Sequence, residues 1–268
     1  MKNIKMIVTD LDNTLLKKDK TISDYTRKVL NKCHENNILI VYATARPERA
    51  TKTWWSNTSY VIANNGATIT QIAQFTQITQ AQHRIKTIPI PDTIKDSILA
   101  RFAAEKAITG ICAETGDLLH TNDINHATWG MLATSDPSWN PVYNDFSTPI
   151  KDEICKISIE CNNMEIIHNI LKDYPALRIY TNSGEHWCQI THQLASKYNA
   201  IKHLSKHTGI EQGDIIAFGD DNNDIEMLQK CGIGVAVKNA IQDAKDVADY
   251  ICDTNENDGI ARFLASIC

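Results

Sequence analysis

The chain has no Cys-x-x-Cys pair, although eight cysteines (33, 112, 155, 161, 188, 231, 252 and 268) are scattered over its 268 residues. Disulfide frameworks belong to short secreted chains, so reduced thiols serving as core filler in a cytoplasmic setting are expected. Long apolar runs are also missing. The longest, Ile38–Ala43, falls far short of the roughly 20 residues of a transmembrane helix, which argues against a membrane partner. Met1-Lys2-Asn3-Ile4-Lys5 opens with a basic flavour, but Asp10 and Asp12 interrupt any apolar signal segment. Excess positive charge is absent too: 27 Lys and Arg face 32 Asp and Glu, a formal net charge of −5. That balance lacks the basic footprint of a nucleic-acid binder, and an anionic ligand would need a locally positive site. No internal repeat or low-complexity tract is present.

What remains is ordinary globular material, 43% hydrophobic and 22% charged. Ile4–Thr9 reads as a buried strand ending at Asp10. Ser23 caps a helix to about Asn36, Ile38–Ala43 is a second strand, Pro47 opens a helix through about Trp55, and Tyr60–Ala63 is a third strand. This alternation predicts a doubly wound α/β parallel sheet of the Rossmann-like kind. From about residue 80 the pattern becomes α+β. Helices are predicted at Asp92–Glu105 and Glu165–Lys172, and strands at Lys156–Glu160, Leu177–Thr181 and Trp187–Ile190. The α/β rhythm then returns with a helix from about Gln193 to His207 and a strand at Ile215–Phe218. The expected organisation is a discontinuous core (1–80 and 187–268) interrupted by an inserted α+β domain (81–186).

Four features fall at carboxyl ends of predicted core strands or in the helix after the insertion, and that edge of an open parallel sheet is where ligands bind. They are Asp10-Leu11-Asp12-Asn13-Thr14, Thr44, Lys197 and Gly219-Asp220-Asp221-Asn222-Asn223-Asp224. Several carboxylates at one edge repel one another unless a cation joins them, and hard oxygen ligands suit Mg²⁺. Such an ion would offset repulsion between a carboxylate nucleophile and a phosphoryl group. An aspartate can form a covalent phospho-enzyme. A second can act as general acid and base if burial or a like charge raises its pKa. Lys197 supplies local positive charge, and Thr44 a hydrogen bond to a phosphoryl oxygen.

These motifs, in this order, resemble the haloacid dehalogenase superfamily of phosphohydrolases. Asn64-Asn65-Gly66-Ala67, Val237-Lys238-Asn239-Ala240 and Asn257-Asp258-Gly259-Ile260 are similar to its Cof-type sugar-phosphatase branch. The resemblance implies Asp10 as nucleophile and Asp12 as general acid and base. It implies Thr44, Lys197, Ala45 and Asn223 as substrate-binding positions, and a Mg²⁺ site from Asp10, Asp12 (through its carbonyl oxygen), Asp220 and Asp224. Asp224 could instead support Lys197. The inserted domain would be a cap, closing over the cleft and contacting the leaving group. Two departures stand out. Asn13 replaces a frequent Gly, and Asn tolerates left-handed backbone; Thr44-Ala45-Arg46 replaces a more usual Thr-Gly-Arg, adding a methyl near the phosphate approach.

Each motif alone has a blander reading. Asp-x-Asp-x-Thr favours turns, Lys197 could be a solvated helix residue, and Gly219-Asp220-Asp221 could be a capped strand-to-helix turn. His203 and His207, Trp54-Trp55, and His186 with Trp187 read as solvated or packing residues. Glu114, Asp117 and His120 are candidates for substrate contacts. The resulting expectation is a Mg²⁺-dependent phosphatase of a small phosphorylated metabolite, a sugar phosphate, acting through an aspartyl-phosphate. The alternatives are a phosphomutase using the same site and a non-catalytic phospho-ligand sensor.

Overall fold

The computed structural model describes residues 4–75, 79–116, 118–134, 138–181 and 186–267. Along the chain, β1 (Met6–Thr9) is followed by α1 (Asp24–Glu35), β2 (Leu39–Ala43), β3 (Tyr60–Ala63), β4 (Thr68–Phe75) and β5 (Thr79–Thr87). Then come α2 (Asp92–Ala104), β6 (Ile108–Glu114), β7 (Leu119–Thr121), α3 (Ala127–Thr134), β8 (Pro141–Tyr143) and β9 (Lys156–Cys161). Next are α4 (Met164–Leu171), β10 (Leu177–Thr181), β11 (Trp187–His192), α5 (Lys197–Thr208) and β12 (Ile215–Gly219). The chain ends with α6 (Ile225–Lys230), β13 (Ile233–Val237), α7 (Gln242–Val247), β14 (Tyr250–Cys252) and α8 (Gly259–Ile267).

Two units result. The first comprises 1–46, 51–86 and 196–268. Its sheet has the order β14-β13-β12-β1-β2-β3-β4-β5. The strands from β14 to β3 are parallel, and β4 runs antiparallel to β3. Alternation along the central strands explains the layering. Ile7, Ile40, Tyr42, Ile216 and Phe218 face one side and pack with Leu30 of α1 and Ile260 and Leu264 of α8. Met6, Val8, Val41, Ala43, Ile215 and Ala217 face the other and pack with Ala200, Ile201 and Leu204 of α5 and Met227 of α6. A strand buried on both faces reads as a continuous apolar run, which is why β1 and β2 stand out in the sequence. Each fully buried aliphatic side chain contributes about 1.5–3 kcal/mol.

The second unit comprises 47–50 and 87–195. Its sheet has the order β10-β11-β9-β6-β7-β8 and is antiparallel apart from β7 and β8. Ile98 and Phe102 of α2 and Ile167 of α4 cover one face, against Ile111, Ala113, Ile157, Ile159 and Ile190. Trp129 of α3 packs with Cys112 and Leu119.

Several local details depart from the sequence reading. The junctions fall at 86/87 and 195/196 rather than 80/81 and 186/187. The β4–β5 pair extends the first sheet to Thr87, and β11 pairs with β9 and β10. After Pro47, three-ten turns over Glu48–Asn57 replace the expected helix. Helix α5 starts four residues later than Gln193, where Ser196 Oγ accepts a hydrogen bond from Asn199 N at 3.0 Å. Seven cysteines are buried and outside any disulfide, and Cys268 lies outside the described residues. Burial pushes the Cys231 and Cys252 thiols up to about 12, as inert core thiols should be. Among the described residues, no helix is long and apolar enough to cross a membrane.

Candidate active site

The site is assembled at the carboxyl edge of the first sheet. β1 delivers Asp10, whose amide donates to Phe218 O on β12 at 3.0 Å, so the two acid-bearing loops leave adjacent strands together. Carboxylate oxygens of Asp10, Asp220 and Asp224 lie within 4.8 Å of one another. Lys197 bridges two of them, with Nζ donating to Asp10 Oδ1 and Asp224 Oδ1, both at 2.6 Å. It is only 1% exposed, a burial tolerated because both partners are carboxylates. Burial disfavours its charge, but Asp10 and Asp224 outweigh that and hold it firmly protonated.

Each acid is held differently. Asp224 uses its second oxygen, Oδ2, to accept from Asp220 N at 2.9 Å and Asp221 N at 3.3 Å, shaping the turn after β12. Gly219 makes this possible, since a Cβ there would stand 2.5 Å from the Asp224 Cβ. Thr14 Oγ1 donates to Asp220 Oδ1 at 2.7 Å, tying the two acidic loops together. Burial is the main cause pushing the Asp10 carboxyl well above the ordinary carboxylate range; Asp224 and Asp12 add to it, and Lys197 opposes it. Asp220 is pushed up in the same way by burial, then by Asp10 and Asp224, against Thr14 and Lys197. Buried Asp10 and Asp224 and half-buried Asp220 face one lysine, so negative charge is in excess when all three are ionised. An all-oxygen donor set of that charge fits a hard divalent cation such as Mg²⁺.

Asp12 sits outside this cluster and in the opposite field. Arg46 grips it with two hydrogen bonds, Nε to Oδ2 at 2.6 Å and Nη2 to Oδ1 at 2.8 Å. Lys20 Nζ adds a third to Oδ1 at 2.7 Å. Burial favours its neutral form, but the hydrogen bonds and charge of Arg46, then of Lys20, win and hold its pKa below the ordinary value. The expectation of a raised pKa at Asp12 is therefore corrected: the raised carboxyls are Asp10 and Asp220. Directly after the two acids the chain kinks. Asn13 adopts φ 58°, the left-handed conformation that Asn accepts, so the turn survives without the frequent Gly.

The remaining expected positions line the same edge. Thr44, after β2, is 1% exposed, and its Oγ1 accepts from Arg46 N at 3.1 Å. Ala45 is half-buried in that turn. Asn223 Nδ2 donates to Asn65 Oδ1 at 2.9 Å. Asn64 and Asn65 both have positive φ, and their amides donate to Arg46 O and Thr44 O. A Cβ on Gly66 would stand 2.2 Å from Ser196 O, so glycine lets this loop press against the start of α5, next to Lys197. Asn239 Nδ2 supports the first loop by donating to Asn13 O at 2.7 Å. Arg46, Lys20, Thr14 and Asn65 carry contacts that the sequence reading gave them no part in. The only signal was their place within quoted motifs (Thr14, Arg46, Asn65) or beside one (Lys20).

Of the other candidates, Glu114 pairs with Arg49 at 2.6 Å inside the second unit, His120 is half-buried, and Asp117 lies outside the described residues. Trp54 and Trp55 are buried, and Trp54 lies under the Arg46 guanidinium, 5.3 Å from ring centroid to Cζ.

A doubly wound α/β core with its acids gathered at one strand edge is thus interrupted by a largely antiparallel α+β unit. The model of the haloacid dehalogenase-like hydrolases matches residues 7–264, and the chain belongs to that family. It is 27% identical, over 277 aligned positions, to the 5-amino-6-(5-phospho-D-ribitylamino)uracil phosphatase YitU of Bacillus subtilis, covering 97% of this chain and 96% of that one. Its fold matches a haloacid dehalogenase-like hydrolase structure from B. subtilis, with TM-score 0.83, 23% identity, and 99% and 100% of the two chains covered. It also matches one from Bacteroides thetaiotaomicron, with TM-score 0.82, 23% identity, and the same coverage.

Proposed function

We propose that the chain is a Mg²⁺-dependent phosphomonoesterase that cleaves a small phosphorylated metabolite, a sugar or sugar-alcohol phosphate, through an aspartyl-phosphate. The observation that carries this reading is the buried Lys197 shared between Asp10 and Asp224, with Asp220 completing the acidic group. The name of the B. subtilis relative, whose substrate bears a phosphorylated ribityl chain, supports the substrate class.

Asp10, Asp220 and Asp224, with the carbonyl oxygen of Asp12, would hold Mg²⁺, which when bound offsets the charge of the incoming phosphoryl group. Lys197 and Thr44 hold phosphoryl oxygens, with Ala45 and Asn223 lining the approach. An Asp10 carboxylate oxygen attacks phosphorus, the ester P–O bond breaks, and Asp12, which must first take up a proton against the pull of Arg46 and Lys20, delivers it to the departing oxygen. Asp12 then takes a proton from a water that attacks the aspartyl-phosphate, releasing inorganic phosphate and regenerating Asp10. Most of the rate gain comes from positioning and charge, as is general for phosphoryl transfer.

The test is a panel of phosphate monoesters assayed for phosphate release with Mg²⁺ and with chelator. Turnover that needs Mg²⁺ and disappears in Asp10→Asn is expected. Turnover that persists without divalent metal, or in Asp10→Asn, overturns the reading. A product panel with a sugar bisphosphate separates hydrolysis from a mutase, and ligand-induced stabilisation without turnover would identify a sensor.

A further inference from the structure

Asp12 is held by more apparatus than an ordinary surface carboxylate. Arg46 meets it edge-on with two nitrogens, the bidentate geometry that fixes the plane of a carboxylate as well as its place. The guanidinium itself lies over the buried Trp54 ring, which limits its rotation. Trp54 Nε1 in turn donates to Lys20 O at 3.0 Å. Lys20 has φ 63°, a left-handed conformation that costs a non-glycine residue about 1–2 kcal/mol, and from there its Nζ reaches Asp12 Oδ1. A bidentate pair, a stacked aromatic ring and a strained backbone thus converge on one carboxylate. Strain of this kind persists only where the surroundings over-determine it, and it concentrates at functional sites.

We propose that Arg46 is a positioning residue that sets the orientation of the Asp12 carboxyl for proton exchange with the leaving oxygen, and that Trp54 and Lys20 lock Arg46 and Asp12 in that arrangement. This rests on the phosphatase reading above. Arg46 acts through Asp12, so its worth depends on how much the reaction needs a proton from Asp12. A nitrophenolate leaves without one; an unactivated phenolate does not. Arg46→Lys keeps the charge and keeps the backbone N–H to Thr44, but loses the two-point grip.

The experiment compares p-nitrophenyl phosphate with phenyl phosphate, two aryl monoesters of similar shape, for the wild type, Arg46→Lys, Asp12→Asn and the double variant, all in Mg²⁺. Arg46→Lys is expected to lose about 10- to 100-fold in kcat/KM on phenyl phosphate and only a few-fold on p-nitrophenyl phosphate, because kcat/KM reports expulsion of the leaving group, whereas hydrolysis of the aspartyl-phosphate is common to both esters. The double variant is expected to be no slower on phenyl phosphate than Asp12→Asn alone, because two residues acting as one unit are not additive. Equal losses in kcat/KM on both esters, or a double variant slower by the product of the single losses, overturn the proposal and leave the phosphatase reading standing. No Mg²⁺-dependent release from either ester by the wild type overturns that underlying reading instead. Trp54→Leu, which leaves Arg46 and Asp12 in place, supplies a second variant with the same leaving-group bias expected at smaller size; an unbiased loss counts against the proposal.

Discussion

Asp10 and Asp12 stand two residues apart and live in opposite electrostatic surroundings. Asp10 shares one buried lysine with Asp224 and faces Asp220, so negative charge is in excess and burial resists its ionisation. Asp12 meets two cations, Arg46 and Lys20, so positive charge is in excess and its ionised form is favoured. The difference comes from which loop each one meets: Asp10 reaches Lys197 beside the turn after β12, and Asp12 reaches Arg46 in the turn after β2. Two like residues become candidates for unlike work because each inherits the charge of a different neighbouring loop.

The sharpest way to break this comparison is to remove the charge from the acid-rich side. Asp10→Asn, which removes the proposed nucleophile, is expected to lower phosphate release by roughly a thousand-fold or more; retained release would assign the covalent step elsewhere. Removing the cation shared on that side comes next. Lys197→Met leaves two buried carboxylates without their partner, and breaking a buried pair in this way costs about 3–5 kcal/mol. Thermal unfolding should show a drop on the order of 10 °C, partly recovered by Mg²⁺. An unchanged Tm would mean that the lysine is not paired in solution.

A smaller effect is expected at Gly219. Gly219→Ala places a Cβ 2.5 Å from that of Asp224, so the turn must shift, at a cost of about 1–3 kcal/mol read by denaturant unfolding. Weaker Mg²⁺ binding should accompany it. A neutral outcome would show that the turn has room the structure denies it.

The smallest expected effect tests the sign of the charge excess. Metal-free, Asp10 and Asp220 have pKa values above those of the unfolded chain. From the ordinary carboxylate range up to neutrality, the folded state therefore keeps protons that the unfolded chain has released. Their contribution to stability is fully present at acid pH and is lost as pH rises through the folded values. The Tm rise on adding Mg²⁺ should accordingly grow from pH 5 to pH 8, by on the order of 5 °C. A Mg²⁺ effect that shrinks over that span would place the excess charge on the wrong side.

Strands β1, β2, β3 and β12 could be read from the chain because each is buried on both faces and shows an uninterrupted apolar run closed by polar turn residues. The sequence of β4 and β5 gives no such run: Thr and Gln alternate with apolar residues, and their place at the antiparallel end of the sheet was not anticipated. Trp187–Ile190 was expected as a strand and forms most of β11, but nothing local says which sheet a strand joins, and its pairing with β9 carried it into the second unit. At the site, the acids of the Asp10 and Asp220 loops were apparent as clustered carboxylates at strand ends. Lys197 was singled out by its place in the helix after the insertion and by the need for local positive charge; a lone lysine in a helix otherwise reads as solvated. Arg46 and Lys20 escaped for a plainer reason. Their meaning lies in a carboxylate 34 and 8 residues away, a contact that exists only after the chain has folded.

The most direct measurement traps the covalent species. Asp12→Asn, which keeps the nucleophile but lacks the group that would activate water, is mixed with p-nitrophenyl phosphate and Mg²⁺, quenched, reduced with borohydride and mapped by peptide mass spectrometry. Conversion of residue 10 to homoserine, the product of reducing an aspartyl-phosphate, is predicted. Release of nitrophenol with residue 10 unaltered, or with the modification at another carboxylate, would contradict capture of phosphorus by Asp10.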